Sequence, residues 1–359
     1  MHSAQRRTLV KAALAAFAMA PAWLRAQAGN DGATIIHARD ASITRLPPNA
    51  EAQKSFDSAA ARAAKPGRWT TRMPLPFPRS EMAWAAAWNG RMHVVGGYGN
   101  LRFDRAYHHI YDAAKNAWTE AAPLPRGASH IGVAIGNGVL YAVGGFIDQI
   151  RLPHQDVYAF DIANGEWRTV APLPRARAAA SVIALDGKIH AIAGASGRDI
   201  KQSVDWHEVY DPAADNWEPR APLPDARDHA GAVALNGRIH VIGGGLDGSS
   251  RSSDLHHVYD LQTDAWETRA PLPTPRGGHA AAVLRERIFI MGGESTGKLH
   301  GQNEGYDVKT DRWESYAPLP TPRHGAGAAT IGDAIYFAGG APVTGTAFLT
   351  SVNEAFALN

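Results

Sequence analysis

Hydrophobic and polar positions alternate along most of this chain in short runs, five to seven residues long, separated by turn-forming residues. "HAGAVAL" and "RIHVIGG" are two such runs, joined by Asn236 and Gly237, a pair suited to a tight hairpin. "HHVYD" follows after a polar loop, and "AWETR" closes the unit. The pattern predicts four antiparallel strands in about fifty residues.

The same unit returns around the chain. A tryptophan recurs as Trp69, Trp118, Trp167, Trp217, Trp266 and Trp313, at spacings of 47 to 50 residues. A glycine pair keeps the period at Gly96–Gly97, Gly144–Gly145, Gly243–Gly244, Gly292–Gly293 and Gly339–Gly340, with Gly194–Ala195 as a variant. "PLP" recurs from Pro74, Pro123, Pro172, Pro222, Pro271 and Pro318. A four-stranded unit repeated six times predicts an all-β, six-bladed propeller over residues 68–359. The last unit ends without its tryptophan strand, and Trp69 has no strands of its own before it. Trp69 is therefore expected to supply the outer strand of the sixth blade, so that the N-terminal strand joins the C-terminal blade.

With "GG", then "VYD", then Trp in each unit, the chain resembles the kelch-repeat family, and the resemblance covers more than four fifths of it. Kelch rings commonly present peptide- or glycan-binding surfaces, so the resemblance implies first an exported ligand-binding or protein-interaction module. In its basic-then-apolar start "RRTLVKAALAAFAMA", its six units and the arginines that follow "PLP" (Arg79, Arg177, Arg227, Arg276 and Arg323), the chain also resembles, more weakly, exported bacterial kelch proteins that interconvert the anomers or epimers of N-acetylneuraminate, an alternative enzymatic expectation. A resemblance to copper radical oxidases is opposed by composition: their cofactor joins a tyrosine to a cysteine, and this sequence has no cysteine. Disulfides and thiolate metal sites are absent for the same reason.

The first residues, "MHSAQRRTLVKAALAAFAMAPAWLRAQAG", combine a basic start, an apolar middle and a small-residue exit. Residues 1–28 read as an export signal resembling the twin-arginine class, which predicts a periplasmic or secreted protein. The apolar stretch from Ala12 to Leu24 has 13 residues, too few to span a bilayer, so no membrane span is expected after signal removal. Residues 29–67 are expected to be a linker containing a short helix. Charge is nearly balanced, with 36 Lys plus Arg against 34 Asp plus Glu, and the basic residues are scattered, which argues against nucleic acid as a partner.

Candidate chemistry concentrates where each unit enters its innermost strand. Arg79, Arg177, Arg227, Arg276 and Arg323 each stand three residues past "PLP", while the second unit has Ala128 there. Antiparallel order places this segment on the same rim as the loop after the glycine pair. The five arginines are expected at one mouth of the central channel, with His130, His279 and His324 as further ligand-binding candidates and Glu81 and Asp228 nearby. Two roles stay open for the arginines: bracing blades, or binding an anion such as a small acidic sugar, a glycan or a peptide. Glu81 and His229 are the candidates for moving protons, although no pattern assigns a catalytic group. Trp84, in the innermost strand of the first unit, either narrows the channel or packs between strands.

No cofactor or metal is expected. The paired glycines precede no helix, so they form no nucleotide loop. They are expected to serve close backbone approach instead. His240 aligns with His93, Tyr141, His190, Phe289 and Tyr336, and such a position packs a flat ring.

Overall fold

Each predicted unit forms a four-stranded antiparallel blade in the computed structural model, which describes residues 66–81, 85–99, 102–199, 201–345 and 348–359. The expected export signal, nearly all of the expected 29–67 linker including the expected short helix, and Trp84 lie outside the described residues. In the fourth blade the order runs Gly231–Leu235, Arg238–Ile242, His256–Asp260 and Ala265–Thr268, from the axis outward. Among the described residues six such sheets form, and their innermost strands touch in a closed cycle.

The sixth blade takes its outer strand from the other end of the sequence. Arg68–Thr71 pairs antiparallel with Asn353–Ala357, with Trp69 opposite Phe356. Both strand edges that a linear chain would expose are thereby satisfied.

The repeated residues hold neighbouring blades together. Each tryptophan indole N–H donates to the carbonyl just before "PLP" in the preceding repeat, from Trp118 to Met73, Trp167 to Ala122, Trp217 to Ala171, Trp266 to Ala221 and Trp313 to Ala270. Trp69 completes the circle by donating to Ala317 at 2.8 Å. Each bond contributes about 1 kcal/mol net, and the rings bury apolar area around it.

The aligned histidines pack inside the blades, as their exchange with tyrosine and phenylalanine implies. His240 Nδ1 faces His256 Nε2 at 2.9 Å, and the pairs His93–His108 and His190–His207 repeat the arrangement. Burial pushes His256 down to about 3 and His240 to about 4, so these rings are neutral structural groups. The glycine pairs serve close approach: Gly244 has φ 104°, and a Cβ there would lie 2.7 Å from the Asp228 carbonyl oxygen.

Small side chains on the innermost strands leave a channel along the axis of about 370 Å³, walled by residues such as Ala134, Ala184, Ala234, Ala282 and Ala329. Among the described residues, no helix is long and apolar enough to cross a membrane.

Candidate functional site

One residue per blade closes the axis at the rim that bears the loops after the glycine pairs. These residues are Glu81, His130, Ala179, His229, Gly278 and Gly325, each following a bridge residue that pairs with the loop of its own blade. All six have left-handed backbone, with φ between 50° and 61°. In that conformation each amide N–H reaches the carbonyl of the neighbouring blade. Glu81 donates to Gly325, Gly325 to Gly278, Gly278 to His229, His229 to Ala179, Ala179 to His130 and His130 to Glu81, at 2.8 to 3.1 Å. The six bonds form a closed ring, and closure holds four non-glycine residues in a backbone region that is costly for side chains bearing Cβ.

Above this ring opens a cavity of about 580 Å³, lined by Glu81, His130, His229 and His324 together with residues of the rim loops. The six ring residues and Ala326 enclose a much smaller adjoining space of about 20 Å³. The Glu81 carboxylate lies over Gly325, where a Cβ would come within 2.6 Å of Oε1. Glycine at 325 is therefore required by that carboxylate as well as by its φ of +60°.

Two imidazoles flank Glu81: His130 Nε2 is 3.5 Å from Oε2, and His324 Nε2 is 3.4 Å from Oε1. Burial opposes ionisation of Glu81, but the histidines around it outweigh burial and hold its carboxyl well below the usual range. His229 Nδ1 bonds Asp228 Oδ1 at 2.5 Å, and Asp228 also accepts the hydroxyls of Ser249 and Ser203. Burial disfavours the imidazolium of His229, yet Asp228 and Glu81 raise its pKa above the ordinary histidine value. Asp228 is lowered, because its bonds to His229 and the serines overcome the cost of burial. His130 is instead pushed down to about 3 by burial, with Glu81 only partly opposing. The site thus places a carboxylate whose ionised form is favoured beside an imidazole whose protonated form is favoured by its carboxylate brace.

Glu81, His130 and His229 each offer one donor atom, all within 4.8 Å of one another, a set whose composition could hold a metal ion. The proton arrangement uses the same lone pairs. Asp228 bonds Nδ1 of His229 and leaves Nε2 as its free donor atom, an orientation that serves a proton or a metal ion alike.

The expected ring of arginines at the channel mouth is corrected. Arg79, Arg177, Arg227, Arg276 and Arg323 are all 0 % exposed, and none lines the cavity. Arg276 donates to the carbonyls of Gly292, Thr274 and Ile290 and pairs with Glu304 at 2.6 Å. Arg323 repeats this with Gly339, Thr321, Phe337 and Glu354, and Arg177 pairs with Glu208. Arg79 and Arg227 donate to Val94 and Val241 and have histidines, His109 and His257, where those sister blades place glutamate. Buried backbone carbonyls engage every one of these guanidinium groups, and buried glutamates engage three of them, so bracing wins. His279 is also fully buried: its ring fills the space beside Gly231 and Gly243 and is absent from the cavity wall.

A covariation in the repeats foreshadowed this outcome. The blade lacking the arginine, with Ala128, has Tyr158 where Arg177, Arg276 and Arg323 find Glu208, Glu304 and Glu354. Of the expected site residues, the structure brings together Glu81, His130, His229 and His324. Lys201, Ser249 and Glu294 also line the cavity, but they sit in loops that differ from blade to blade, so no period marks them.

Comparison with known proteins follows the repeats. A family model described as the KLHDC2/KLHL20/DRC7 Kelch-repeats domain matches residues 171–340, and one described as the Kelch motif matches residues 127–174. Curated protein sequences give no match. The solved structure described as "Structure of YjhT" aligns with a TM-score of 0.67 at 16% identity, covering 79% of this chain and 96% of that one. At that identity the likeness concerns the fold alone. The blades, their ring closure and the repeat matches together define the chain as a six-bladed kelch β-propeller, locked by its own N-terminal strand.

Proposed function

We propose that this chain is an exported sugar mutarotase or epimerase that interconverts forms of an acidic sugar, such as N-acetylneuraminate, in the axial cavity. The observation that carries the reading is the juxtaposition of the Glu81 carboxylate and the Asp228-braced imidazole of His229 at the floor of one cavity. Anomer exchange needs a base and an acid with opposed proton affinities at neighbouring oxygens. Glu81 takes the proton of the anomeric hydroxyl while His229 gives its proton to the ring oxygen. The bond between anomeric carbon and ring oxygen breaks, the anomeric carbon becomes a carbonyl, and re-closure on the opposite face returns both protons. No redox partner is required. The resemblance to exported kelch proteins acting on N-acetylneuraminate supports the substrate class, and the likeness in fold to YjhT is compatible with it.

The test is NMR of anomer exchange after one anomer is dissolved, with buffer, wild-type protein and Glu81→Gln. Wild type should accelerate exchange, and Glu81→Gln should lose about 100-fold or more of that acceleration while remaining folded. An unchanged exchange rate with wild-type protein would leave the cavity as a binding site and end the enzymatic reading.

A further inference from the structure

An acidic sugar needs a cation, and burial of the five arginines removes the group first expected to supply it. Among the cationic side chains on the cavity wall, most are already engaged. His229 is bonded to Asp228, His324 stands between Glu81 and Glu294, and Arg251 reaches Asp247 at 2.9 Å on the exposed outer lip. Lys201 differs. It makes no ion pair among the described residues, and its ammonium sits 4.8 Å above the Phe146 ring in the cavity that Glu81 also lines. The loop of the next blade crosses its backbone so closely that a Cβ at Gly248 would lie 2.5 Å from the Lys201 carbonyl oxygen.

We propose that Lys201 receives the carboxylate of the sugar and thereby sets the site's preference for acidic over neutral sugars. The inference rests on the cavity's being the sugar site. A half-buried ammonium over an aromatic face is partly stripped of water, and a carboxylate arriving in the cavity replaces that lost hydration with a charge-assisted bond. Burial lowers the Lys201 pKa, with Glu81 and Asp228 opposing, so an added anion favours its charged form. Thr296 lines the cavity from another blade and offers a hydroxyl to the polyol portion.

The experiment compares N-acetylneuraminate with its methyl ester, which keeps the anomeric chemistry and removes the charge. Lys201→Met should raise KM for the acid by about 10- to 100-fold with kcat within about twofold, leave the ester unaffected, and be rescued in part by Lys201→Arg. An unchanged KM for the acid, or equal losses for acid and ester, overturns the assignment. Calorimetry reads the same difference if no exchange is catalysed, with Lys201→Gln as a second variant should Lys201→Met fail to fold. An acid-over-ester preference that wild type and Lys201→Arg share and the neutral variants lose supports Lys201, while equal binding in wild type, binding of neither, or a preference that the neutral variants keep overturns it. Absence of exchange alongside selective acid binding would count against catalysis only.

Discussion

Replacing Glu304 by Gln removes one buried charge and almost no volume, and so isolates what the arginines do. Glu304 Oε2 accepts Arg276 Nη1 at 2.6 Å and Oε1 accepts the Thr274 hydroxyl at 2.7 Å, with Arg276 fully buried. The amide keeps a carbonyl to accept one bond but leaves the guanidinium without its counter-charge. Breaking a buried pair from one side costs about 3–5 kcal/mol, and the retained carbonyl places the expected loss near the lower end, about 3 kcal/mol. For large domains each kcal/mol shifts Tm by about 2–4 °C, so Tm should fall by about 6–12 °C. His109→Glu supplies the opposite sign. Arg79 Nε and Nη1 have no protein partner among the described residues, and a carboxylate at position 109 should stabilise by about 1–2 kcal/mol. Urea and thermal unfolding of both variants give the two values. A Glu304→Gln loss below about 1 kcal/mol, or a destabilised His109→Glu, would refute the bracing argument. With both variants folded, sugar exchange should match wild type; selective loss in Glu304→Gln would return Arg276 to the ligand site.

Three further outcomes follow from the same geometry. Because the folded pKa of His229 is raised, its contribution to stability is fully present below its unfolded value of 6.5 and is lost as pH rises through the folded one. Asp228 is depressed, so its share is present above its unfolded value of 3.8 and is lost as pH falls through the folded one; urea unfolding across pH should therefore show the largest wild-type advantage over Asp228→Asn between these limits. Deleting residues 66–72 removes the strand paired with Asn353–Ala357 and the Trp69–Ala317 bond, and should give self-association in light scattering and rapid proteolysis; a monomeric, resistant product would show that closure is dispensable. Added Co²⁺ should give no intense visible band with wild-type protein, whereas a strong tetrahedral spectrum abolished by His130→Ala would make Glu81, His130 and His229 a metal site.

The architecture was legible in the chain because it is local and repeated. Hairpin alternation, the "NG" turn, the tryptophan period and the missing last strand together require six blades and a closing strand, and the positions of Trp69 and Phe356 obey that arithmetic. Packing roles were legible wherever repeats could be compared, as with His240 and its aromatic equivalents. The site was only partly legible, since its residues lie about one repeat or more apart and meet only because six left-handed residues close a hydrogen-bonded ring around the axis. Rim placement brought Glu81 and His229 under consideration but could not show that Asp228 would brace one beside the other. The arginines mark the limit: a guanidinium at the start of an inner strand can turn toward solvent or into its own blade. That choice depends on three-dimensional partners: all five turn inward onto second-strand carbonyls, and third-strand glutamates join them for Arg177, Arg276 and Arg323 alone.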